Sequence, residues 1–102
     1  MYFSKKLSQF KTIKHCFFSK NGGVSEDVYN SLNCGLGSND KENNVLKNLT
    51  IVSEKIGVSK NNLFLMNQTH SNKVAIINKN NKNIQRINAD ALITKLESIA
   101  IS

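Results

Sequence analysis

One helical stripe constrains the fold of this chain more than any other feature. Apolar side chains recur at spacings of four, three and four residues, in the order Val45, Leu49, Val52 and Ile56. That spacing is typical of one face of an α-helix. It predicts a helix over residues 41–56 that buries this face, with Asn39 or Asp40 as the N-cap and Gly57 as the stop.

Short β-type runs flank this helix. Residues 12–18, "TIKHCFF", combine β-branched and aromatic side chains and predict a strand. Three shorter apolar runs, at residues 63–66, 74–77 and 89–94, predict further strands. The Asn- and Lys-rich segment between the last two, "NKNNKNIQRIN", is interpreted as a solvated hairpin tip in preference to an RNA contact. The residues alone therefore predict one mixed α/β domain without an internal repeat.

Length and composition limit the functional classes. A chain of 102 residues can bury one modest core, and it contains neither a secretory signal pattern nor an apolar run of membrane-spanning length. We therefore expect a cytoplasmic location, no membrane contact, and reduced thiols at Cys16 and Cys34. The net charge of +7 would suit nucleic acid, but thirteen of the fourteen basic residues are Lys and sixteen residues are Asn. This composition is typical of A/T-biased coding, so nucleic-acid binding is not favoured.

A glycine-rich stretch, "SKNGGVSEDVYNSLNCGLGSND", precedes the predicted helix. A long loop of this kind in a compact domain is more often functional than idle. The backbone N–H groups of residues 22–25 could receive an anion beside Lys20. No phosphate-loop Gly-Lys-Ser/Thr follows, and an ordinary glycine turn is the favoured alternative.

His70 lies in "LFLMNQTHSNKV", where a first apolar run is followed by four polar residues, Asn67 to His70, before the chain becomes apolar again at Val74. A side chain at the end of a rigid strand can face a cleft, although a lone histidine is more often a hydrogen-bonded structural residue. A zinc site needs three or four ligands, and the other candidates, His15, Cys16 and Cys34, have no short ligand spacing. Cys34 also has no base beside it in sequence, and Asp90 is typical of a turn or strand-end acid.

Four segments taken in order resemble one family: "HCFFSKNGGVSEDVYNSLNCG", "NNVLKNLTIVSEKIG", "LFLMNQTHSNKV", and "ADALIT" with "IAIS". They are similar to the laccase-domain proteins, first described as multicopper polyphenol oxidases and now regarded as zinc-dependent purine nucleoside phosphorylases with peptidoglycan-editing relatives. The family pattern combines a Gly-Gly-Val-Ser loop, Ser-Leu-Asn, a helix with an Asn-Arg pair, Gln-x-His-Gly and Ala-Asp-Ala-hydrophobic-x-Thr. All five are recognisable, and the resemblance covers about residues 13–102.

The resemblance implies an α/β fold, a mixed β-sheet packed with helices, of which residues 1–102 would be the incomplete N-terminal part of a larger single domain. It implies phosphorolysis of adenosine, inosine or guanosine, with related methylthioadenosine cleavage and adenosine deamination. His70 would be a zinc ligand and catalytic residue, with copper as an alternative metal for the family. Gln68 completes its motif. A purine nucleoside and phosphate would be the partners, and homodimer formation stays open.

The same resemblance assigns the substrate cleft to the glycine loop and the Ser-Leu-Asn motif, with Lys20 near phosphate, Gly22 and Gly23 in the loop, and Asn33 as a catalytic and substrate-binding residue. Three positions depart from the family pattern. Lys20 replaces an Arg and loses its bidentate geometry. Ser71 replaces the Gly after the histidine, and Leu49 replaces the Arg of the Asn-Arg pair.

The other two zinc ligands of the family, a cysteine and a histidine, lie downstream of the segment that matches "IAIS", and the chain ends before both. Together with its apolar last residues, this predicts a truncated chain that is inactive alone. Two alternatives remain open, a small basic RNA-binding module and a non-catalytic interaction domain.

Overall fold

The structure is a computed structural model that describes residues 1–83 and 85–102. The chain folds as two compact units, an N-terminal unit, Met1–Ile56, and a C-terminal unit, Gly57–Ser102. The prediction that both belong to one larger domain stays a prediction. Within the described residues, no helix is long and apolar enough to cross a membrane.

The N-terminal unit is built on one helix, α1, which spans Glu42–Ile56 and confirms the predicted helix. Val45 and Leu49 of the apolar stripe are 2% and 5% exposed. Glu42 in the first turn and Lys55 in the last have the charges that the helix dipole favours at those ends. Leu49, which replaces the family Arg, is therefore a core residue in this chain.

The predicted strand over residues 12–18 is wrong. The segment contains only an isolated antiparallel bridge between Tyr2 and Phe17, and Ile13 and Phe17 are 50% and 61% exposed. Strand propensity reflects the fit of a side chain to a pleated, half-buried surface. Without that surface, the β-branched and aromatic residues of this segment do not form a strand.

The described residues of the C-terminal unit form five short strands: β1 Leu63–Asn67, β2 Val74–Ile77, β3 Arg86–Asn88, β4 Ala91–Thr94 and β5 Ala100–Ile101. A three-stranded sheet has the order β3-β1-β5, and a two-stranded sheet pairs β2 with β4. All these pairs are parallel. Apart from residue 84, which is not described, the buried apolar residues of the unit are Leu63, Phe64, Ile77 and Ala89.

These strands confirm the α/β fold and the predicted strands at β1 and β2, while the third predicted strand begins at Ala91 rather than at residue 89. The hairpin interpretation of "NKNNKNIQRIN" is wrong, because β2 and β4 run parallel and a hairpin turn joins only antiparallel strands. Part of that segment, Arg86–Asn88, is instead strand β3 beside β1. Ile84 of the same segment lies outside the described residues.

Candidate functional site

His70 lies in a turn that begins at the carboxyl end of β1. The backbone of His70 has φ +57°, in the left-handed region that a residue with a side chain seldom adopts. The Ser71 that replaces the family Gly is not among the residues with positive φ. The left-handed backbone conformation of the turn therefore lies at His70 itself, and the next position does not require glycine.

The carboxylate of Asp90 holds this turn. Its Oδ1 atom accepts hydrogen bonds from the backbone N–H groups of Thr69 at 3.1 Å and His70 at 2.8 Å. Its Oδ2 atom accepts from the Ser71 N–H at 2.9 Å and from the Thr69 hydroxyl at 3.0 Å. The Ser71 hydroxyl donates to the same oxygen. We call residues 68–71 together with Asp90 the His70 turn.

These donors stabilise the ionised form of Asp90. The hydrogen bond from the Ser71 hydroxyl lowers the pKa of Asp90 most, burial opposes it, and the Ser71 N–H, the Thr69 hydroxyl and the His70 N–H lower it further, so that the pKa falls to about 2. A carboxylate that accepts several N–H and O–H bonds is stabilised in its charged form. Asp90 is thus an anion at neutral pH.

The imidazole of His70 and the amide of Gln68 are exposed, and neither side chain forms a hydrogen bond to another described residue. An imidazole nitrogen in this position can bind a divalent metal. Among residues 1–83 and 85–102, however, no three His, Cys, Asp or Glu side chains lie close enough to hold a metal ion. His70 therefore fits one position of a metal site, and the described residues do not complete the site.

The second group lies in the N-terminal unit, where the glycine loop and the Ser-Leu-Asn motif run side by side. The carbonyl oxygen of Lys20 accepts hydrogen bonds from the N–H groups of Ser31 and Leu32, at 2.9 and 2.8 Å, and from the Ser31 hydroxyl at 3.0 Å. Ser31 in turn accepts from the N–H of Gly23 through its hydroxyl, and from the N–H of Ser25 through its carbonyl. We call residues 20–25, 31–33, 40 and 48 the glycine-loop cluster.

Asn48 joins this cluster to helix α1. It is fully buried, and its Oδ1 atom accepts from the N–H of Val24 at 2.8 Å. Its Nδ2 atom donates to the Ser25 hydroxyl at 2.9 Å and to the Asn33 carbonyl at 2.8 Å. Three of the four hydrogen bonds that an amide side chain can make therefore fix two loop segments.

Asp40 and Asn33 complete the cluster. The Nδ2 atom of Asn33 donates to Ser38 Oγ at 2.9 Å and to Asp40 Oδ2 at 3.2 Å, and its Oδ1 atom accepts from the Gly35 N–H at 3.1 Å. Asp40 also accepts from the Ser25 hydroxyl, which is the main cause of its lowered pKa. The Asn33 side chain is thus engaged by its own loop, and a catalytic role for it stays a prediction.

The structure thus brings the predicted site residues together as two groups, Lys20, Gly22, Gly23 and Asn33 in one unit and Gln68 with His70 in the other. Inside the first group, the N–H groups of Gly23, Val24 and Ser25 all donate to protein oxygens. These three N–H groups are therefore not available to bind an anion, which agrees with the ordinary-turn alternative. The Lys20 side chain is exposed.

The remaining candidates make other contacts. His15 accepts a hydrogen bond at Nε2 from the Ser4 N–H, at 2.7 Å, and its ring lies edge-on to Phe3. Cys16 and Cys34 are free thiols. Burial raises the pKa of Cys34, which disfavours the thiolate that a nucleophile requires.

Sequence reasoning gave no role to Asn48 or Asp40 in a site, and it described Asp90 only as a turn acid. A signal for Asn48 was present, because it lies between Val45 and Leu49 on the buried face of α1. A buried polar residue in an apolar stripe has to find hydrogen-bond partners. Asp90 and the turn that it holds are about twenty residues apart, and no local pattern connects them.

Comparison with known proteins gives consistent results. A family model described as multi-copper polyphenol oxidoreductase laccase matches residues 14–102. A purine nucleoside phosphorylase of Corynebacterium glutamicum is 31% identical over 93 residues, which are 90% of this chain and 38% of that protein. The purine nucleoside phosphorylase YlmD of Bacillus subtilis is 38% identical over 58 residues, 57% of this chain and 21% of its own length.

Solved structures show the same likeness. The hypothetical protein YfiH of Bacillus licheniformis has a TM-score of 0.66 at 26% identity, over 76% of this chain and 32% of its own. The Neisseria meningitidis protein NMB0706 has a TM-score of 0.66 at 30% identity, over 80% of this chain and 32% of its own. YlmD of Geobacillus stearothermophilus, at 21% identity, has a TM-score of 0.70 over 80% of this chain and 33% of its own, and supports the fold alone.

The matched region thus spans between about a fifth and two fifths of the length of these relatives. The family model, in contrast, matches most of this chain, from residue 14 to residue 102. Its range includes the glycine-loop cluster and the His70 turn. The chain therefore belongs to the multi-copper polyphenol oxidoreductase laccase family.

Proposed function

We propose that this chain supplies the N-terminal part of a zinc-dependent purine nucleoside phosphorylase that acts in the cytoplasm on adenosine, inosine or guanosine, with methylthioadenosine cleavage and adenosine deamination as related activities. Two relatives that carry the name purine nucleoside phosphorylase support the activity. The single observation that carries the metal assignment is the exposed imidazole of His70 on a turn held by five hydrogen bonds to one carboxylate.

In this proposal His70 is one of three protein ligands. The other two, a cysteine and a histidine, would come from the region of the longer family members that follows the segment matched here. A zinc held by His70 and these two residues would supply Lewis-acid chemistry and a bound water of lowered pKa. The Asp90 carboxylate keeps the His70 turn in place, and the exposed side chain of Gln68 would contact substrate.

Phosphorolysis joins a phosphate oxygen to C1′ of the ribose while the bond from C1′ to the purine nitrogen breaks, and the purine leaves with a proton. In the glycine-loop cluster, the exposed ammonium of Lys20 would bind phosphate as a point charge. Gly22 and Gly23 would let the loop backbone approach the substrate. Asn33 would keep the Ser-Leu-Asn segment in register through Ser38 and Asp40.

The test is to replace His70 by Ala in the protein extended through the remaining ligands, and to measure zinc content by mass spectrometry and inosine phosphorolysis by purine release. Loss of one of three ligands should remove most of the bound zinc and most of the turnover. His15→Ala is the matched control, because His15 is engaged with Ser4 and should leave the zinc content unchanged. Full zinc occupancy in the His70 variant would reject the assignment.

A further inference from the structure

Backbone hydrogen bonds connect Asp90 and the residue before it to the chain on both sides of the His70 turn. The Asp90 N–H donates to the carbonyl of Lys73, just before β2, at 2.9 Å. The preceding residue, Ala89, is fully buried and donates its N–H to the carbonyl of Asn67, the last residue of β1, at 3.2 Å. Asp90 is therefore tied to the two chain segments that begin and end the turn.

From this fixed position the carboxylate receives the N–H groups of three successive residues, Thr69, His70 and Ser71. Successive backbone N–H groups that converge on one anion form a nest, and a nest fixes the backbone of each residue in it. The middle residue of this nest is His70, whose φ of +57° needs such support because it has a side chain. The direction of the His70 Cα–Cβ bond is set by this geometry.

We propose that Asp90 is a positioning residue that presents the His70 imidazole in one orientation for metal binding. The inference rests on the proposed role of His70 as a ligand. The hydrogen bonds of the Asp90 carboxylate go to the backbone and hydroxyl groups of the turn. In this proposal Asp90 does not bind the metal and acts through the backbone of the turn. Its two hydroxyl partners, on Thr69 and Ser71, add to the same restraint.

A positioning role and a merely structural role predict different results. If Asp90 only stabilises the fold, its replacement would change the melting temperature and leave the metal site unaltered once the protein is folded. If Asp90 positions His70, its replacement would also change the geometry around the metal. Replacement of the partners that orient a metal ligand typically costs about 10- to 100-fold in metal affinity.

The experiment uses Asp90→Asn in the protein extended through the remaining ligands. Zinc affinity is measured by competition with a chromophoric chelator, and ligand geometry by the visible spectrum of the Co²⁺-substituted protein. We expect zinc affinity to fall by about tenfold or more, with an altered Co²⁺ spectrum. Asp27→Asn is the control, because Asp27 has the same charge, an exposed side chain and a positive φ of its own. The control should match the unmodified protein in both readouts.

Two further measurements test the positioning role of Asp90. If Asp90→Asn does not fold, Ser71→Ala removes one donor to the carboxylate while its backbone N–H bond remains, and it should weaken zinc binding less but in the same direction. In the metal-free protein, the His70 amide proton should exchange with solvent on the order of tenfold faster in Asp90→Asn than in the control.

The outcomes separate the two proposals. Unchanged zinc affinity, an unchanged Co²⁺ spectrum and unchanged His70 amide exchange in Asp90→Asn would overturn the positioning role, even if His70→Ala loses its metal. Retention of zinc by His70→Ala would instead reject the proposed function, and the amide exchange of His70 would still report whether Asp90 holds the turn.

Discussion

At Gly23, an added Cβ atom would overlap the Ser31 carbonyl oxygen and the Cα atom of Leu32, with both separations well below 3.0 Å. Both are backbone atoms of the segment that hydrogen-bonds to the loop, so neither can move aside without breaking the glycine-loop cluster. The glycine is therefore required by close approach of two backbones. Gly35 is different, since its added Cβ would first meet the Asn33 side chain, at 3.2 Å.

We accordingly predict that Gly23→Ala lowers the free energy of unfolding by about 2 kcal/mol or more, because overpacking against backbone is relieved only by backbone shifts. Gly35→Ala should cost less than about 1 kcal/mol, since a side-chain amide can rotate slightly. Urea unfolding of the two variants checks this. Equal stability of both would contradict the close packing of the loop.

At this scale, the sequence predicted which residues belong to the glycine loop but not what they do there. The motif match included Gly22, Gly23 and Asn33, all of which the structure places in one cluster. The sequence could not show whether the backbone N–H groups of the glycine loop bind an anion or protein oxygens. A glycine turn and an anion-binding nest have the same residue types. The choice depends on Ser31 and Asn48, which lie six or more residues from the N–H groups that they bind.

Helix α1 connects to the loop segments through one side chain, Asn48. Replacement by Ala would leave the Val24 N–H and the Asn33 carbonyl without their partner beside a fully buried position. An unsatisfied buried polar group costs about 1–3 kcal/mol, so the loss of several bonds should cost on the order of 2–4 kcal/mol in total.

We predict this loss for Asn48→Ala in chemical unfolding, together with faster amide exchange at Val24. The control is Asn43→Ala, an exposed position of the same helix, which should change stability by less than about 0.5 kcal/mol. If both variants were equally stable, Asn48 would have no organising role in the cluster.

The loop between the Ser-Leu-Asn motif and α1 should respond to acid through Asp40. Its pKa is lowered from the ordinary value of 3.8, first by the Ser25 hydroxyl and also by Asn33 and Lys41. A carboxyl group whose pKa is lower in the folded than in the unfolded protein stabilises the fold when the pH is above the unfolded-state pKa. That stability is lost as the pH falls below the unfolded-state pKa and through the folded-state pKa.

Asp40→Asn should therefore be less stable than the unmodified chain at neutral pH, and the difference in melting temperature should narrow as the pH is lowered from about 5 to 2. A protonated Asp40 resembles Asn, so both proteins then make similar contacts. The measurement is thermal unfolding of both proteins across this pH range. A difference that does not depend on pH would show that ionised Asp40 does not stabilise the loop.

Among the elements, α1 was predictable because its four apolar residues repeat with the period of a helix. Strand β3 was not, because its single half-buried residue, Ile87, lies between polar Arg86 and Asn88. The strand predicted over residues 12–18 shows the opposite case, in which residue type favours a strand but the segment joins no sheet. Short strands depend on their partners, and a partner can lie far away in sequence.

On the scale of the whole molecule, both units carry a net positive charge. All fourteen basic side chains are exposed. The N-terminal unit has eight basic and five acidic residues, a net charge of +3, and the C-terminal unit has six and two, a net charge of +4. The single arginine, Arg86, donates to the Asn67 side chain at 3.2 Å, so its guanidinium is already engaged with strand β1.

The RNA-binding alternative can be tested through these charges, because thirteen of the fourteen basic residues are lysines. Lysine attracts a polyanion as a point charge without bidentate recognition. Each phosphate contact with single-stranded RNA makes the decrease of log affinity with log salt steeper by about 0.7. We predict that filter binding detects weak retention of oligo(U) and oligo(A) alike at about 20 mM salt, and none at about 200 mM. Retention that persists at the higher salt and prefers one sequence would show a specific RNA site and favour the RNA-binding alternative.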